Sequence, residues 1–184
     1  MGFTICYDKS YMDEFKITKT AKKDVFEEVR KYLTGQGFKL VQEDIKRPWG
    51  FFFYIDEAQT DRFIKKFYNG VNLEGIDSSL PLQPKILAFE PGQKNSWQYH
   101  FRRAEIWRCL SDDCMVVMGP DDNEPESIII KKGDIINFRQ GIRHRGGGTD
   151  KWALVAEIWQ HTDPNNPSNE DDIVRLQDDY GRAN

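Results

Sequence analysis

Gln98, His100, Glu105 and His144 are residues of the types and spacing that could hold one metal ion. Gln98 and His100 stand two apart in the strand-like run Trp97-Gln98-Tyr99-His100-Phe101, and in a strand such residues leave the same face. Glu105 follows across the turn-like Phe101-Arg102-Arg103-Ala104, and His144 lies far along the chain, after a further strand-like run and the turn-like 139–143. Two imidazoles and one carboxylate are common ligands for a borderline divalent ion, and the amide oxygen of Gln98 adds a weaker fourth contact. Such a set leaves one positive charge on the ion, able to polarise a substrate oxygen. Taken singly, each histidine has the plainer reading of a hydrogen-bonded strand residue. A closed barrel could bring all four together.

The texture of the chain calls for that barrel. From Leu82 onward seven short β-rich runs follow one another, KILAFE, WQYHF, AEIWRCL, CMVVMG, SIIIKK, DIINF and ALVAEIWQ. Turn formers separate them at Pro91-Gly92, Ser111-Asp112-Asp113, 121–125, Lys132-Gly133-Asp134 and Gly146-Gly147-Gly148. Hairpin-length connections favour an antiparallel sheet, and closing it removes exposed edges. Ahead of the runs, Val25, Phe26, Val29, Tyr32 and Leu33 predict an amphipathic helix over Thr20–Gly35. Asp56 and Gln59 resemble a capping box before the stripe Phe63, Ile64, Phe67, Tyr68, which ends at Asn69-Gly70 and predicts a second, short helix. Residues 163–184 are polar and read as a wrap around the outside.

A chain of 184 residues fits one domain and buries roughly 70% of the surface exposed when unfolded. With 26 basic and 30 acidic residues its formal charge is -4, too balanced for a nucleic-acid or membrane surface as main partner. Cys6, Cys109 and Cys114 form no CxxC pair, which suits a reducing compartment, with Cys109 and Cys114 as core fillers. Asp8, Lys9 and Asp13 interrupt any signal-peptide core, so the expected location is cytoplasmic. Gly2 invites a myristoylation reading, but Cys6 stands where Ser or Thr is expected.

The ligand spacings form a longer pattern: Gly92-x5-Gln98-x-His100-x4-Glu105, then Gly133-x7-Gly141-x2-His144. In this the chain resembles the cupin superfamily, with Gln98 in place of the usual first histidine. A Gln-x-His-x4-Glu first motif is similar to that of the cupin phosphomannose isomerases. The resemblance continues in Arg47-Pro48-Trp49-Gly50, in Lys85, in Arg103-Ala104-Glu105 and Trp107, and in Asp171-Asp172-Ile173-Val174-Arg175 with Asp179-Tyr180-Gly181-Arg182. It covers roughly residues 45 to 182.

The resemblance implies a mainly β fold, a single cupin jelly-roll barrel with one or two added N-terminal helices: 1–45 as helical extension, 46–162 as barrel, 163–184 as C-terminal wrap. It implies one divalent ion on Gln98, His100, Glu105 and His144, zinc foremost, with manganese, iron, cobalt and nickel equally suited to mixed ligands. It also implies isomerisation of mannose 6-phosphate to fructose 6-phosphate, and the family tendency to pair through the sheets points to a homodimer. That reaction needs a proton carrier and support for an enediolate, for which Glu157 and Lys85 are the candidates. Glu157 reads equally as a hydrogen-bonded partner of a ligand histidine, and Lys85 as a solvated strand residue. The phosphate needs cations, and Arg103 and Arg145 are the preferred pair among Arg102, Arg103, Arg143 and Arg145. Their alternative is pairing with the acidic tail at Asp171 or Asp172, and Arg175 and Arg182 read as anchors of the wrap.

The chain departs from the pattern at Arg139, where a cupin proline is usual, and at Gly148, where the family tends to have Asn. Extra residues between Arg47-Pro48-Trp49-Gly50 and the ligand strand, and the helix in front, could lid the mouth, cover an edge or form a dimer face. No Gly-rich phosphate loop precedes Arg47, which leaves nucleotidyl transfer out of the expected activity. Alternative functions are isomerisation of another sugar such as D-lyxose, an iron-dependent dioxygenase, and a non-catalytic sugar-binding cupin.

Overall fold

The computed structural model describes residues 15–182 apart from 72, 74–76 and 78, together with the backbone of Phe3–Cys6. Gly2, Asp8, Lys9, Asp13 and the side chain of Cys6, on which the reading of the N-terminus rests, lie outside the described residues.

The elements in order are β1 (Phe3–Cys6), α1 (Lys22–Gly35), β2 (Leu40–Asp44), β3 (Gly50–Ile55), a 3-10 turn (Glu57–Gln59), α2 (Thr60–Phe67), β4 (Leu82–Phe89), β5 (Trp97–Tyr99), β6 (Arg103–Cys109), β7 (Asp113–Gly119), β8 (Ile128–Lys131), β9 (Ile135–Phe138), β10 (Arg143–Gly147), β11 (Ala153–His161) and β12 (Val174–Gln177). They form two antiparallel sheets, β1-β9-β6-β11-β4-β3-β2 and β12-β5-β10-β7-β8. Within these, β4 to β11 alternate as β4-β11-β6-β9 facing β5-β10-β7-β8, the strand order of a jelly roll and the architecture of a cupin. The fold is mainly β, as the punctuated runs require.

The seven expected runs correspond to β4 to β9 and β11, and five more strands are present among the described residues. Two of them, β1 and β2, belong to the N-terminal extension, which is therefore helical only in part: β1 pairs with β9 and β2 with β3. Strand β10 takes up Gly146 and Gly147, read from sequence as a turn. A Cβ on Gly146 would lie 2.7 Å from the ring of Trp107 and 2.8 Å from that of Phe89, so glycine here lets the strand pack against two aromatic rings rather than bend. Gly50, at φ +149, opens β3 opposite Phe89, and a Cβ there would meet the Ala88 carbonyl oxygen at 1.9 Å.

Two hydrophobic bodies share the larger sheet. Its inner face, with Phe52, Leu87, Phe89, Trp107, Val155 and Trp159, fills the barrel. On its outer face Phe51, Phe53, Ile86, Leu154 and Ala156 pack against Val25, Phe26, Val29 and Leu33 of α1 and Phe63 and Phe67 of α2. The added helices thus cover the outside of the sheet and leave the barrel mouth to other segments. Coverage from both sides explains why every residue of β3 and β11 is buried. Each fully buried Phe of β3 stabilises the fold by roughly 2–3 kcal/mol.

The entry to α2 uses half of the expected capping box. Asp56 accepts from the Ala58 amide at 3.1 Å. Gln59 instead reaches to the α1–β2 connection, accepting from the Lys39 amide at 2.7 Å and donating to the Gly37 carbonyl at 3.0 Å. Cys109 and Cys114 are buried free thiols, and burial pushes Cys109 up to about 12, in keeping with packing roles. Among the described residues no helix is long and apolar enough to cross a membrane.

Candidate metal centre

His144 on β10 stands directly opposite Gln98 on β5, so both side chains leave the same, inner face of the smaller sheet. His100 follows β5 and Glu105 projects from β6 across the barrel. The ligand-capable atoms of His100, Glu105 and His144 lie within 4.8 Å of one another, and all three residues are buried. Glu105 is the hub: Oε1 is 3.1 Å from His100 Nε2, and Oε2 is 3.1 Å from His144 Nε2. Gln98 lines the same cavity, its Oε1 accepting from Ser96 Oγ at 2.6 Å.

The hydrogen bonds on the far side of each imidazole decide what the near side can do. His100 Nδ1 is 2.5 Å from the Asp172 carbonyl oxygen and His144 Nδ1 is 3.0 Å from that of Ile142. An Nδ1–H engaged in this way leaves Nε2 as the lone-pair nitrogen, an assignment made from the bonding network. Burial, and then the charge of Arg103, holds His100 down at about 4, so the ring is neutral at physiological pH. Nε2 of His144 is buried and makes no hydrogen bond. Burial pushes the Glu105 carboxyl upward, but His100, His144 and Arg103 outweigh this and hold it well below the usual carboxylate range. Arg103 already engages one side of the cluster, its Nη2 3.0 Å from His100 Nε2 and its Nε on Glu105 Oε1, while on the other side the buried His144 Nε2 faces Glu105 Oε2 with no hydrogen bond. The donor set therefore fits one divalent ion.

The proton-transfer candidates lie on the same inner face. Glu157 of β11 stands opposite both Lys85 of β4 and Trp107 of β6. The Trp107 indole N–H bridges the two carboxylates, 3.1 Å from Glu105 Oε2 and 2.8 Å from Glu157 Oε1. Burial, reinforced by the charge of Glu105, raises Glu157 to about 8. Lys85, far from being solvated, is 5% exposed. Its ammonium lies 4.4 Å from the ring centroids of Phe52 and Trp159, 4.7 Å from that of Tyr54, 3.7 Å from Glu157 Oε2 and 3.0 Å from Glu170 Oε1.

The two arginines expected at a phosphate part company. Arg103 is inside: Nε donates to Glu105 Oε1 at 2.7 Å, Nη1 to Ser168 Oγ and the Asn169 carbonyl, and the guanidinium stacks 3.5 Å over Trp159. Arg145 is not. It neighbours inward-facing His144 in β10 and so leaves the opposite face, where Glu124, the Asn95 carbonyl and Asp179 engage it completely. Arg143 shares that face, over the Tyr99 ring and paired with Asp122. Arg102 is the arginine that pairs with Asp172, at 3.7 Å.

The tail is part of the site. Asp172 accepts from the amides of Phe101 and Arg102 at 3.0 and 2.9 Å and so fixes the loop that carries His100. Glu170 enters the cavity, bonded by Tyr54, Lys85 and Arg47. Strand β12 pairs with β5, placing Arg175 opposite Gln98. Arg47, Glu170, Arg175 and Arg182 all line the cavity. None of them was singled out from sequence for the site. The signal available for the three arginines was their membership of the Arg47-Pro48-Trp49-Gly50, Asp171–Arg175 and Asp179–Arg182 motifs, and Glu170 belongs to none of them.

No protein-family model matches the sequence. The chain is 30% identical over 111 residues to the xanthan biosynthesis protein XanB of Xanthomonas campestris pv. campestris, in two strains. That match takes in 60% of the chain and 22% of the relative, so the chain spans about a fifth of the length of the curated relatives it matches. Similar solved structures include oxalate decarboxylase (16% identity, TM-score 0.49, 68% of this chain and 30% of that one) and vicilin from Corylus avellana (15%, 0.48, 73% and 35%). DMSP lyases RdDddP and RnDddQII are a third case (11%, 0.46, 78% and 68%). The jelly-roll assignment stands on the strand order given above.

Proposed function

We propose that the protein is a metal-dependent aldose–ketose isomerase acting on a sugar phosphate, with mannose 6-phosphate to fructose 6-phosphate as the leading reaction. The observation that carries the reading is the pairing of Glu157 with Lys85 beside the ligand set. A carboxyl raised to about 8 by burial and by Glu105 is matched to giving and taking a proton near neutral pH. The relative matched over 111 residues carries the name xanthan biosynthesis protein, and a biosynthetic enzyme is in keeping with this reading.

A divalent ion on Gln98, His100, Glu105 and His144 would supply a Lewis acid for the two neighbouring oxygens of the sugar. The rest falls to the chain. Glu157 takes the proton from the carbon next to the aldehyde, and the electron pair of that C–H bond becomes the double bond of an enediolate. The same carboxyl then returns the proton to the former aldehyde carbon while the hydroxyl proton of the neighbouring carbon passes to the former aldehyde oxygen, giving the ketose without net change in oxidation. Lys85 offsets the negative charge that builds up beside Glu157. Trp107 holds Glu157 and Glu105 in a fixed relation, and Phe52, Tyr54 and Trp159 exclude water from the ammonium.

The test is turnover by metal-replete protein with mannose 6-phosphate in deuterium oxide, following fructose 6-phosphate and carbon-bound deuterium, beside His100→Ala and a panel of free aldoses including lyxose. Product carrying solvent deuterium, lost in the variant, supports the proposal. No conversion of any sugar by protein with metal bound would rule it out and leave sugar binding as the function to test.

A further inference from the structure

We infer that Arg47, Arg175 and Arg182 together form the seat for the phosphate of the substrate, at the mouth of the barrel on the side closed by the C-terminal tail. The inference rests on the sugar-phosphate reading for its ligand, and its test is independent of turnover.

Three observations lead here. The first is direction. Arg175 is the Cα partner of Gln98 across β12 and β5, so its side chain leaves the face that carries the ligands. The second is local charge. The chain as a whole carries -4, yet the cavity beside the ligands is lined by five cationic side chains, Arg47, Lys85, Arg103, Arg175 and Arg182, against the carboxylates of Glu105, Glu157 and Glu170. Glu105 and Glu157 stand at the ligand end, and the arginines meet Glu170 in the cavity and Asp44 and Asp178 outside its lining. The third is crowding. Burial, then the charge of Arg182 and, after the opposing Asp178, that of Arg47, lowers Arg175 in spite of Asp178 and Glu170, as expected where guanidinium groups face one another. Collecting like charges in a partly buried place costs stability, and a doubly charged oxyanion among them relieves it.

The existing partners leave room for such a ligand. Arg47 lies 2.9 Å by Nε from Asp44 and 3.3 Å by Nη2 from Glu170, and Arg182 is held from one side by Asp178. A guanidinium has five N–H donors in a planar fork, so an acid that positions one edge leaves the other to a ligand. Arg103 and Lys85 are already committed to Glu105, Glu157 and Glu170, and Arg145 lies on the other face. Arg47 and Arg182 can therefore read a phosphate while the sugar oxygens approach His100, Glu105 and His144, and Arg175, beside the charges of Asp178 and Glu170, adds its own positive charge from the ligand face. A phosphate seated there discriminates a phosphorylated sugar from the free one by charge-assisted, bidentate hydrogen bonds.

The experiment is calorimetric titration with inorganic phosphate of metal-loaded and of EDTA-treated protein. It compares wild type, the double variant Arg175→Gln/Arg182→Gln, the charge-retaining Arg175→Lys, and the exposed control Lys65→Gln. The expected result is binding in both metal states, weakened at least ten-fold in the double variant, about three-fold in Arg175→Lys, and unchanged in the control. With mannose 6-phosphate the double variant should raise KM at least ten-fold with little change in kcat. Should the double variant fail to fold, Arg175→Lys carries the test. Absence of phosphate binding by wild type, binding unaffected by the arginine changes, or binding abolished by EDTA would overturn the inference, the last by placing the anion on the metal. Arginine-dependent phosphate binding without turnover would overturn the isomerase reading and leave the anion seat standing. Turnover with unchanged KM in the double variant would do the reverse.

Discussion

Lys85 and Glu157 are direct partners across β4 and β11, their charged ends 3.7 Å apart in a place where the two side chains are 7% and 3% exposed. The ammonium is shared with Glu170, so one lysine balances two carboxylates inside an aromatic cage. Removing either end therefore has consequences of different kinds.

Glu157→Gln keeps the shape and the bond from Trp107 while removing the titratable proton. Turnover should fall by about 10²–10⁴-fold with bound metal unchanged. Kinetics alongside metal analysis check this, and near-normal turnover would assign Glu157 to orienting its neighbours. Lys85→Met takes the cation from beside Glu157, leaves Glu170 to Arg47 and Tyr54, and should lower the urea midpoint and push the Glu157 carboxyl further up.

Metal should stabilise the fold, because the four candidate ligands come from β5, β6, β10 and the loop after β5, which are together only in the native state. One equivalent of zinc or manganese should raise Tm, EDTA should reverse it, and His100→Ala should abolish the response. Asp172→Ala frees the loop that carries His100 and removes two amide caps, so metal affinity should drop about 10–100-fold although Asp172 is no ligand. Titration calorimetry separates these outcomes.

Glu170 supplies the clearest acid dependence. Burial pushes its carboxyl up, but Lys85, the Tyr54 hydroxyl and Arg47 outweigh that and bring it to about 2 from 4.5. A depressed carboxylate contributes stability that is fully present above 4.5 and is lost as pH falls through about 2, here on the order of 3 kcal/mol. Glu170→Gln should be less stable than wild type at pH 7 and should flatten the loss between pH 4.5 and 2. Urea unfolding across that window measures both.

Arg145→Met should damage stability rather than substrate affinity. The substitution strands Glu124 and leaves the Asn95 carbonyl without its donors, a loss of about 3 kcal/mol or more, while KM for any sugar phosphate stays within two-fold of wild type. A large rise in KM with unchanged stability would put Arg145 back at the substrate.

Much of the β architecture was legible because its signals are local. Runs of alternating or β-branched residues broken by Gly, Pro and Asp mark β4 to β9 and β11, and the stripe Val25, Phe26, Val29, Leu33 marks α1. Strands β1, β2, β3, β10 and β12 were not read, and for β10 and β12 the reason is that Arg-His-Arg-Gly-Gly or Val-Arg-Leu-Gln becomes a strand only when a neighbour offers it an edge. The half-used capping box shows the same thing at one residue: Gln59 found better partners in Gly37 and Lys39, brought close by the packing of α1.

For the site, sequence by itself named Gln98, His100, Glu105 and His144 as residues of ligand type and expected Gln98 and His100 to share a face from a strand's period of two, whereas β5 ends at Tyr99 and His100 follows it on a loop. It also marked Lys85 and Glu157 as titratable residues in strands. Only the tertiary structure decided their environment: that they are direct partners, that Glu157 is raised by burial and by Glu105, and that His100 is held neutral with Nε2 turned toward Glu105. Only the structure, too, sent Arg145 outward and brought Arg47, Arg175 and Arg182 to the mouth. The physical reason is that burial and charge proximity are set by contacts between residues far apart in the chain, here Arg47 before β3 and Arg175 in the tail, and no local pattern encodes that distance.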